Sequence, residues 1–256
     1  MLHYRIHGDL AQDTPLIVLH GLLGSLDNWN TFASREKANR PIIAVDMRNH
    51  GDSPHVSGMS YRLMVEDVLA VADHLQLDTF DLMGHSMGGK AAIWLALQSP
   101  ERLNQLIVVD MAPVNYPPRH QAILKAMLDM PLAQFKSRRD ADQALAATVS
   151  EPFERAFLLK NLTWDEQRQL KWQCNLPEIA KHYLNITAFT DTEQRYHKPA
   201  LFIGGGQSDY LNDERWAAAQ HYFPQAQRVM IAQAGHLPHA QTPDIFIEHV
   251  RTALDG

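Results

Sequence analysis

Nine residues constrain this chain more than any others: Asp81-Leu82-Met83-Gly84-His85-Ser86-Met87-Gly88-Gly89. An apolar, strand-like run enters Gly-x-Ser-x-Gly, and a helix-forming stretch follows at once. This is the pattern of a nucleophile elbow, a strand-to-helix turn so sharp that the serine is held strained with its hydroxyl exposed. Gly84 and Gly88 are required where two backbones come too close for a Cβ. The residue at position 86 selects the chemistry. Serine leads to an acyl-enzyme, whereas aspartate would give the alkyl-enzyme of a dehalogenase or epoxide hydrolase.

An elbow of this kind needs a mostly parallel sheet around it, and the rest of the chain supplies one. Short β-rich runs alternate with helical patterns. Strands are expected at 2–6, 16–20, 42–46, 79–83, 105–110, 200–203 and 228–232, several of them apolar enough to be buried on both faces. Helical spacing of Tyr61, Met64, Val65, Val68, Ala72 and Leu75 predicts a helix over 61–75 with Ser60 as its N-cap. Residues 90–98 continue the elbow helix, and 245–254 form a last one. The alternation stops between about Asn115 and Arg195. That stretch opens with Tyr116-Pro117-Pro118, shows no strand-like run, looks helical, and carries Trp164 and Trp172 among apolar residues expected at the surface. The expected organisation is an α/β core from residues 1–114 and 196–256 with a helical cap, 115–195, inserted in it. The cap is nearly neutral, with 11 Lys/Arg against 10 Asp/Glu; the core is acidic, with 12 against 19.

With 256 residues the chain suits one large α/β domain. Its net charge of −6, without a polybasic block, speaks against nucleic acid or anionic membranes as principal partners. Cys174 is the single cysteine, so no internal disulfide can form. No signal peptide and no membrane-length apolar run is read, which makes the cytoplasm the expected compartment.

Ser86 requires a base, because a hydroxyl is a poor nucleophile until an imidazole takes its proton. Fourteen histidines are available. Chain order favours one after the last strand, and Ala234-Gly235-His236 lies there; His239 lacks the preceding glycine. The acid that orients the imidazole has two candidates. The usual slot, three residues past a glycine in the loop after the strand near Ile203, holds Ser208. Asp209 is one residue further on, while Asp110 ends the preceding strand at the same sheet edge. Asp110 is preferred and Asp209 stays open. For the oxyanion hole, the backbone N–H of Met87 is one donor, and Leu22, in His20-Gly21-Leu22-Leu23-Gly24-Ser25, supplies the other. His20 is read as a loop brace. Asp46 and Arg48 are read as a bracing pair, and His50 as a residue near the mouth. Lys136-Ser137-Arg138-Arg139 is read as a solvated helix face rather than a site for a phosphorylated leaving group, for which Arg119, at the cap entrance, is the better-placed candidate. Gly204-Gly205-Gly206 lacks both Walker lysine and dinucleotide spacing and is read as a tight turn. No metal ligand set and no cofactor is expected.

These residues give the chain a resemblance to the α/β-hydrolase superfamily over nearly its whole length. Within it, the likeness is to the YbfF-type bacterial esterases and their eukaryotic abhydrolase-domain relatives. The stretches that carry it are 20–28, Asp46-Met47-Arg48-Asn49-His50-Gly51, Gly84-His85-Ser86-Met87-Gly88-Gly89-Lys90, Asp110-Met111-Ala112-Pro113-Val114-Asn115-Tyr116 and Ala234-Gly235-His236. The resemblance implies hydrolysis of acyl esters or acyl-CoA thioesters, and it supports Asp110 as the acid. The cap diverges, and Asp209 stands beside the shared turn. The expected function is therefore a serine esterase or thioesterase using Ser86, His236 and Asp110, with Leu22 and Met87 holding the oxyanion and the cap supplying an apolar acyl pocket. The partner is a small-molecule ester or thioester, and the protein a monomer or small homo-oligomer. The alternatives are a carbon–carbon bond hydrolase or lyase of the same fold, and a binding protein without turnover.

Overall fold

The computed structural model describes residues 1–255. Seven strands form one sheet: β1 (Tyr4–His7), β2 (Leu16–Leu19), β3 (Ile42–Val45), β4 (Phe80–His85), β5 (Leu103–Val109), β8 (Ala200–Gly205) and β9 (Gln227–Ile231). Their spatial order is β1-β3-β2-β4-β5-β8-β9; β1 runs antiparallel to β3 and every other pairing is parallel. Helix α1 (Asn30–Glu36) precedes β3, α2 (Tyr61–His74) precedes β4, and α3 (Met87–Gln98) leaves the elbow. After β8 come α9 (Asp213–Tyr222), α10 (Pro238–Gln241) and α11 (Pro243–Leu254). Among the described residues no helix is long and apolar enough to cross a membrane.

Strand side chains alternate between the two faces. Ile17, Leu19, Leu82, Leu106, Val108 and Phe202 join a core on one face, which also holds the inner sides of α2 and α3. Leu16, Val18, Met83, Ile107, Val109 and Ile203 join a second core with residues of α1 and α11. Burial on both sides explains why β2, β3, β4 and β8 are wholly buried, and why β2, β3 and β8 carry no polar side chain. Strand positions match the sequence expectation within a residue or two. Ser60 caps α2 by accepting from the Leu63 N–H at 3.3 Å.

Between β5 and β8 the chain leaves the sheet and forms α4 (Gln121–Leu128), α5 (Arg138–Leu145), α6 (Pro152–Leu159), α7 (Leu176–Lys181) and α8 (Tyr183–Thr187). One expectation fails here. The segment contains a two-stranded antiparallel hairpin, β6 (Leu162–Trp164) with β7 (Leu170–Trp172). Its strands are three residues long, too short for alternation to show in the sequence, and Arg168 turns the chain at φ 60°. Trp164 is exposed on the hairpin, while the half-buried Trp172 donates from Nε1 to the Met127 carbonyl. The two ends of the segment are stitched together and to the core. The Tyr116 N–H donates to the Thr187 carbonyl, the Phe189 N–H to Asn115 Oδ1, and buried Lys90 on α3 donates to the Thr187 and Ala188 carbonyls.

Candidate active site

The elbow is built by close backbone approach. A Cβ at Gly84 would stand 2.1 Å from the Gly88 carbonyl oxygen, and one at Gly88 would stand 2.6 Å from the carbonyl oxygens of Leu19 and His20. Between them Ser86 takes φ 52° and ψ −114°, a region that L-residues occupy at a cost of about 1–3 kcal/mol. Its N–H is tied to the Val109 carbonyl at 3.1 Å, at the end of the neighbouring strand.

At that strand end, Asp110 is also in the left-handed region, with φ 48°, and is wholly buried. It lies one residue past β5, whose last residue is Val109. The turn sends its carboxylate across to the β8 loop. Oδ1 accepts from the Gly205 N–H at 3.0 Å, and Oδ2 accepts from the Ser208 hydroxyl. The serine in the slot where an acid was sought thus serves the acid placed on the strand before. Oδ2 also lies 2.7 Å from His236 Nδ1, and His236 Nε2 lies 3.0 Å from Ser86 Oγ. Asp209 points elsewhere. Its half-exposed carboxylate pairs with the Arg119 guanidinium and approaches Arg215, and the Arg119 hydrogen bonds hold it below the usual carboxylate range.

The His236 ring is fixed on several sides. His85 Nε2 lies 2.7 Å from the His236 carbonyl, and the Tyr210 ring stacks on the imidazole with centroids 4.0 Å apart. Gln241 Oε1 accepts from the Gly235 N–H at 2.8 Å. A Cβ on Gly205 would meet the Gly235 carbonyl at 2.0 Å, so the loops after β8 and β9 touch directly. His239 instead stacks on Trp29 at 4.6 Å and is buried away from the serine.

The two residues expected to supply oxyanion donors, Leu22 and Met87, line the space beside Ser86. Met87 is the first residue of α3, so its N–H has no acceptor within the helix. Leu22 follows Gly21, where a Cβ would lie 2.8 Å from His85 Nδ1 and 3.2 Å from Ser86 Cβ; only glycine lets this loop approach the elbow so closely. Two buried histidines brace the loop. His20 Nδ1 lies 2.7 Å from the Gly21 carbonyl and its Nε2 accepts from the Met47 N–H; His50 Nδ1 lies 2.9 Å from the Arg48 carbonyl and its Nε2 accepts from the Leu23 N–H. Desolvation pushes His20 down to about 4 and His50 to about 3, so both are neutral, as acceptance at Nε2 requires. His50 is a brace, not a residue at the mouth. Asp46 and Arg48 brace the loops without pairing. Asp46 accepts from the Leu26 and Asp52 N–H groups, while Arg48 binds Asp67 and the Gly58 carbonyl.

Other sequence candidates are committed elsewhere. Arg119 is paired with Asp209, Ser137 caps α5, and Arg138 donates to the Leu159 and Leu162 carbonyls. Among the described residues, His3, Asp46 and Asp52 form a group whose ligand atoms lie within 4.8 Å, but Asp46 is already engaged by the backbone N–H groups just named.

Sequence reasoning missed His120. Its backbone N–H and Nδ1 both contact the Tyr183 hydroxyl, at 3.0 and 2.9 Å, and burial pushes the imidazole down to about 4. It lines the cavity of about 240 Å³ that opens on Ser86 beside Leu22, Leu23, Phe153, Phe157 and His236. Nothing in Pro117-Pro118-Arg119-His120 marks it out from the other histidines.

The family model for the alpha/beta hydrolase fold matches residues 14–243. Esterase YbfF of Escherichia coli is 35% identical, covering 95% of this chain and 94% of its own. The sn-1-specific diacylglycerol lipase ABHD11 of Xenopus laevis is 35% identical over 97% of this chain and 82% of its own. Among solved structures, a marine microorganism esterase superposes with a TM-score of 0.95 at 36% identity, covering 98% of both chains.

Proposed function

The chain belongs to the alpha/beta hydrolase fold family, and from that premise we propose that it is a carboxylic-ester hydrolase working through Ser86, His236 and Asp110. The observation that carries this reading is the unbroken relay of contacts, Ser86 Oγ to His236 Nε2 at 3.0 Å and His236 Nδ1 to Asp110 Oδ2 at 2.7 Å. Ser86 Oγ attacks the ester carbonyl carbon while its proton passes to His236 Nε2. The carbonyl oxygen becomes an oxyanion facing the Leu22 and Met87 N–H groups, a contribution of a few kcal/mol. As the tetrahedral intermediate collapses, the C–O bond to the alcohol breaks, and His236 gives its proton to the departing oxygen. Water then repeats the sequence against the acyl-enzyme, with His236 again as base, and frees the acid. Asp110 Oδ2 accepts from His236 Nδ1–H, which fixes the tautomer that leaves Nε2 facing Ser86 and stabilises the imidazolium as it forms.

Residues 115–195 act as a cap in this reading, because Phe153, Phe157 and Leu158 of α6 wall the cavity that opens on the nucleophile. The esterase and lipase relatives support esters as the substrate class. Acyl-CoA thioesters are a second class open to the same relay, since a thiolate leaves more readily than an alkoxide. A fluorophosphonate probe should label Ser86 stoichiometrically, and a panel of p-nitrophenyl esters and acyl-CoAs should be hydrolysed. Failure to label, together with no turnover of either class, would remove the proposal.

A further inference from the structure

Ser86 does not open on one cavity. A second, of about 40 Å³, lies on its other side, walled by Tyr61, Met87, Tyr116, Ile186 and Tyr210. Leu22, Ser86 and His120 line both this small cavity and the one of about 240 Å³. The two spaces therefore meet at the nucleophile, and the carbonyl carbon must sit at their junction with one limb of the ester in each.

The position of His236 decides which limb goes where. Its imidazole lines the large cavity. On the other side the imidazole is covered by Tyr210, whose ring stacks on it at 4.0 Å and forms part of the small cavity's wall. The departing oxygen must take a proton from His236 Nε2, so the alcohol limb has to leave on the large-cavity side. Deacylation imposes the same direction. The attacking water must reach His236 with the acyl group still attached to Ser86, and an acyl chain filling the large cavity would occupy that space. Vacated by the alcohol, the large cavity gives water its path.

From this, resting on the serine-hydrolase reading above, the geometry points to a short-acyl esterase: the small cavity takes the acyl group and the large apolar cavity takes the alcohol. The small cavity has about a sixth of the volume of the large one, so short-acyl esters of bulky apolar alcohols are the substrate class.

Hexyl acetate and ethyl hexanoate test this directly, because they are isomers that carry the same atoms on opposite sides of the ester. With turnover followed by pH-stat titration, kcat/KM for hexyl acetate should exceed that for ethyl hexanoate by roughly tenfold or more, the discrimination expected for misplaced methylenes. Two variants locate the effect. Ile186→Ala, which enlarges the small cavity, should narrow the ratio by raising ethyl hexanoate turnover. Phe157→Ala, which loosens the large one, should lower turnover of hexyl acetate. Equal rates for the isomers, a preference for ethyl hexanoate, or a rise in ethyl hexanoate turnover in Phe157→Ala but not in Ile186→Ala would overturn the assignment. A protein whose Ser86 labels with fluorophosphonate but which prefers ethyl hexanoate loses only the limb assignment. One that neither labels nor hydrolyses either isomer loses the serine-hydrolase reading as well.

Discussion

The sheet edge and the segment inserted between β5 and β8 are built by different means. All 13 glycines of the chain lie outside residues 115–195. At the edge, Gly84, Gly88 and Gly205 stand where a Cβ would strike another backbone, and Gly21 where it would strike the His85 ring. Ser86 and Asp110 occupy positive φ, and Asp110 is held by a backbone N–H and a hydroxyl besides His236. The edge fixes atoms through the backbone. The inserted segment uses short helices, a three-residue hairpin and exposed apolar side chains such as Phe153 and Leu184. It shapes space through side chains that can be exchanged. Chemistry written in the backbone tolerates little change, whereas a cavity wall written in side chains can vary without moving the reacting atoms.

The sharpest way to break this contrast lies in the two aspartates. Asp110→Asn keeps the size but puts an amide N–H where His236 Nδ1–H needs an acceptor, forcing the wrong tautomer. A fall in kcat of about 10⁴-fold is expected, smaller than the loss of about 10⁶-fold expected for removal of the nucleophile by Ser86→Ala. Asp209→Asn breaks a half-exposed ion pair and should change kcat by less than about twofold. Steady-state assays on one short-chain ester compare all three, and a reversed order for the aspartates would move the acid to the β8 loop.

Next in size is Gly84→Ala. Its methyl would lie 2.1 Å from a backbone oxygen that cannot rotate away, so the strand and α3 must separate. A loss of about 4 kcal/mol or more is expected in urea unfolding, if the variant folds at all. An isosteric substitution at an exposed position of α5, such as Gln143→Glu, should stay within about 0.5 kcal/mol. Comparable losses at both positions would mean that the edge is no stiffer than the insertion.

These contrasts also explain what could be read in advance. The elbow was legible because its glycines answer a steric demand that only a few residues can meet, and β2 and β3 because burial on both faces leaves a solid apolar run. Asp110 was reachable only as one of two choices. What separates it from Asp209 is the donation of Ser208 and Gly205 to a carboxylate from the adjacent strand, a relation between residues about a hundred positions apart. The hairpin at Leu162–Trp172 was missed because three-residue strands carry no period. His120 was missed because its place depends on Tyr183 from the far end of the same segment. Long-range pairing of this kind leaves no local pattern.

The bracing histidines predict an acid response of the edge. His20, His50 and His239 are held neutral by desolvation at about 4, 3 and 3, below the ordinary value of 6.5. Between about pH 4 and 6.5 the unfolded chain binds more protons than the folded one, so stability falls as pH falls. At pH 5 each such histidine costs about 2 kcal/mol relative to pH 8. Urea midpoints measured from pH 8 to pH 5 should drop steeply, and His50→Gln, which can accept from Leu23 without titrating, should reduce the slope. A slope unchanged by His50→Gln would show that the oxyanion loop does not depend on a neutral imidazole at that position.

The smallest expected effect belongs to Phe153, which is 61% exposed yet forms part of the large cavity's wall. A side chain so exposed packs against little, so Phe153→Ala should shift stability by less than about 0.5 kcal/mol. Its contact with an apolar limb is made equally in the ground state and the transition state. Removing it should therefore raise KM by a few-fold and leave kcat alone. The split between KM and kcat, measured with hexyl acetate, is the informative quantity. A fall in kcat with KM unchanged would mean that α6 helps to position the reacting atoms, and the division between a backbone-built edge and a side-chain-built wall would then run through the inserted segment itself.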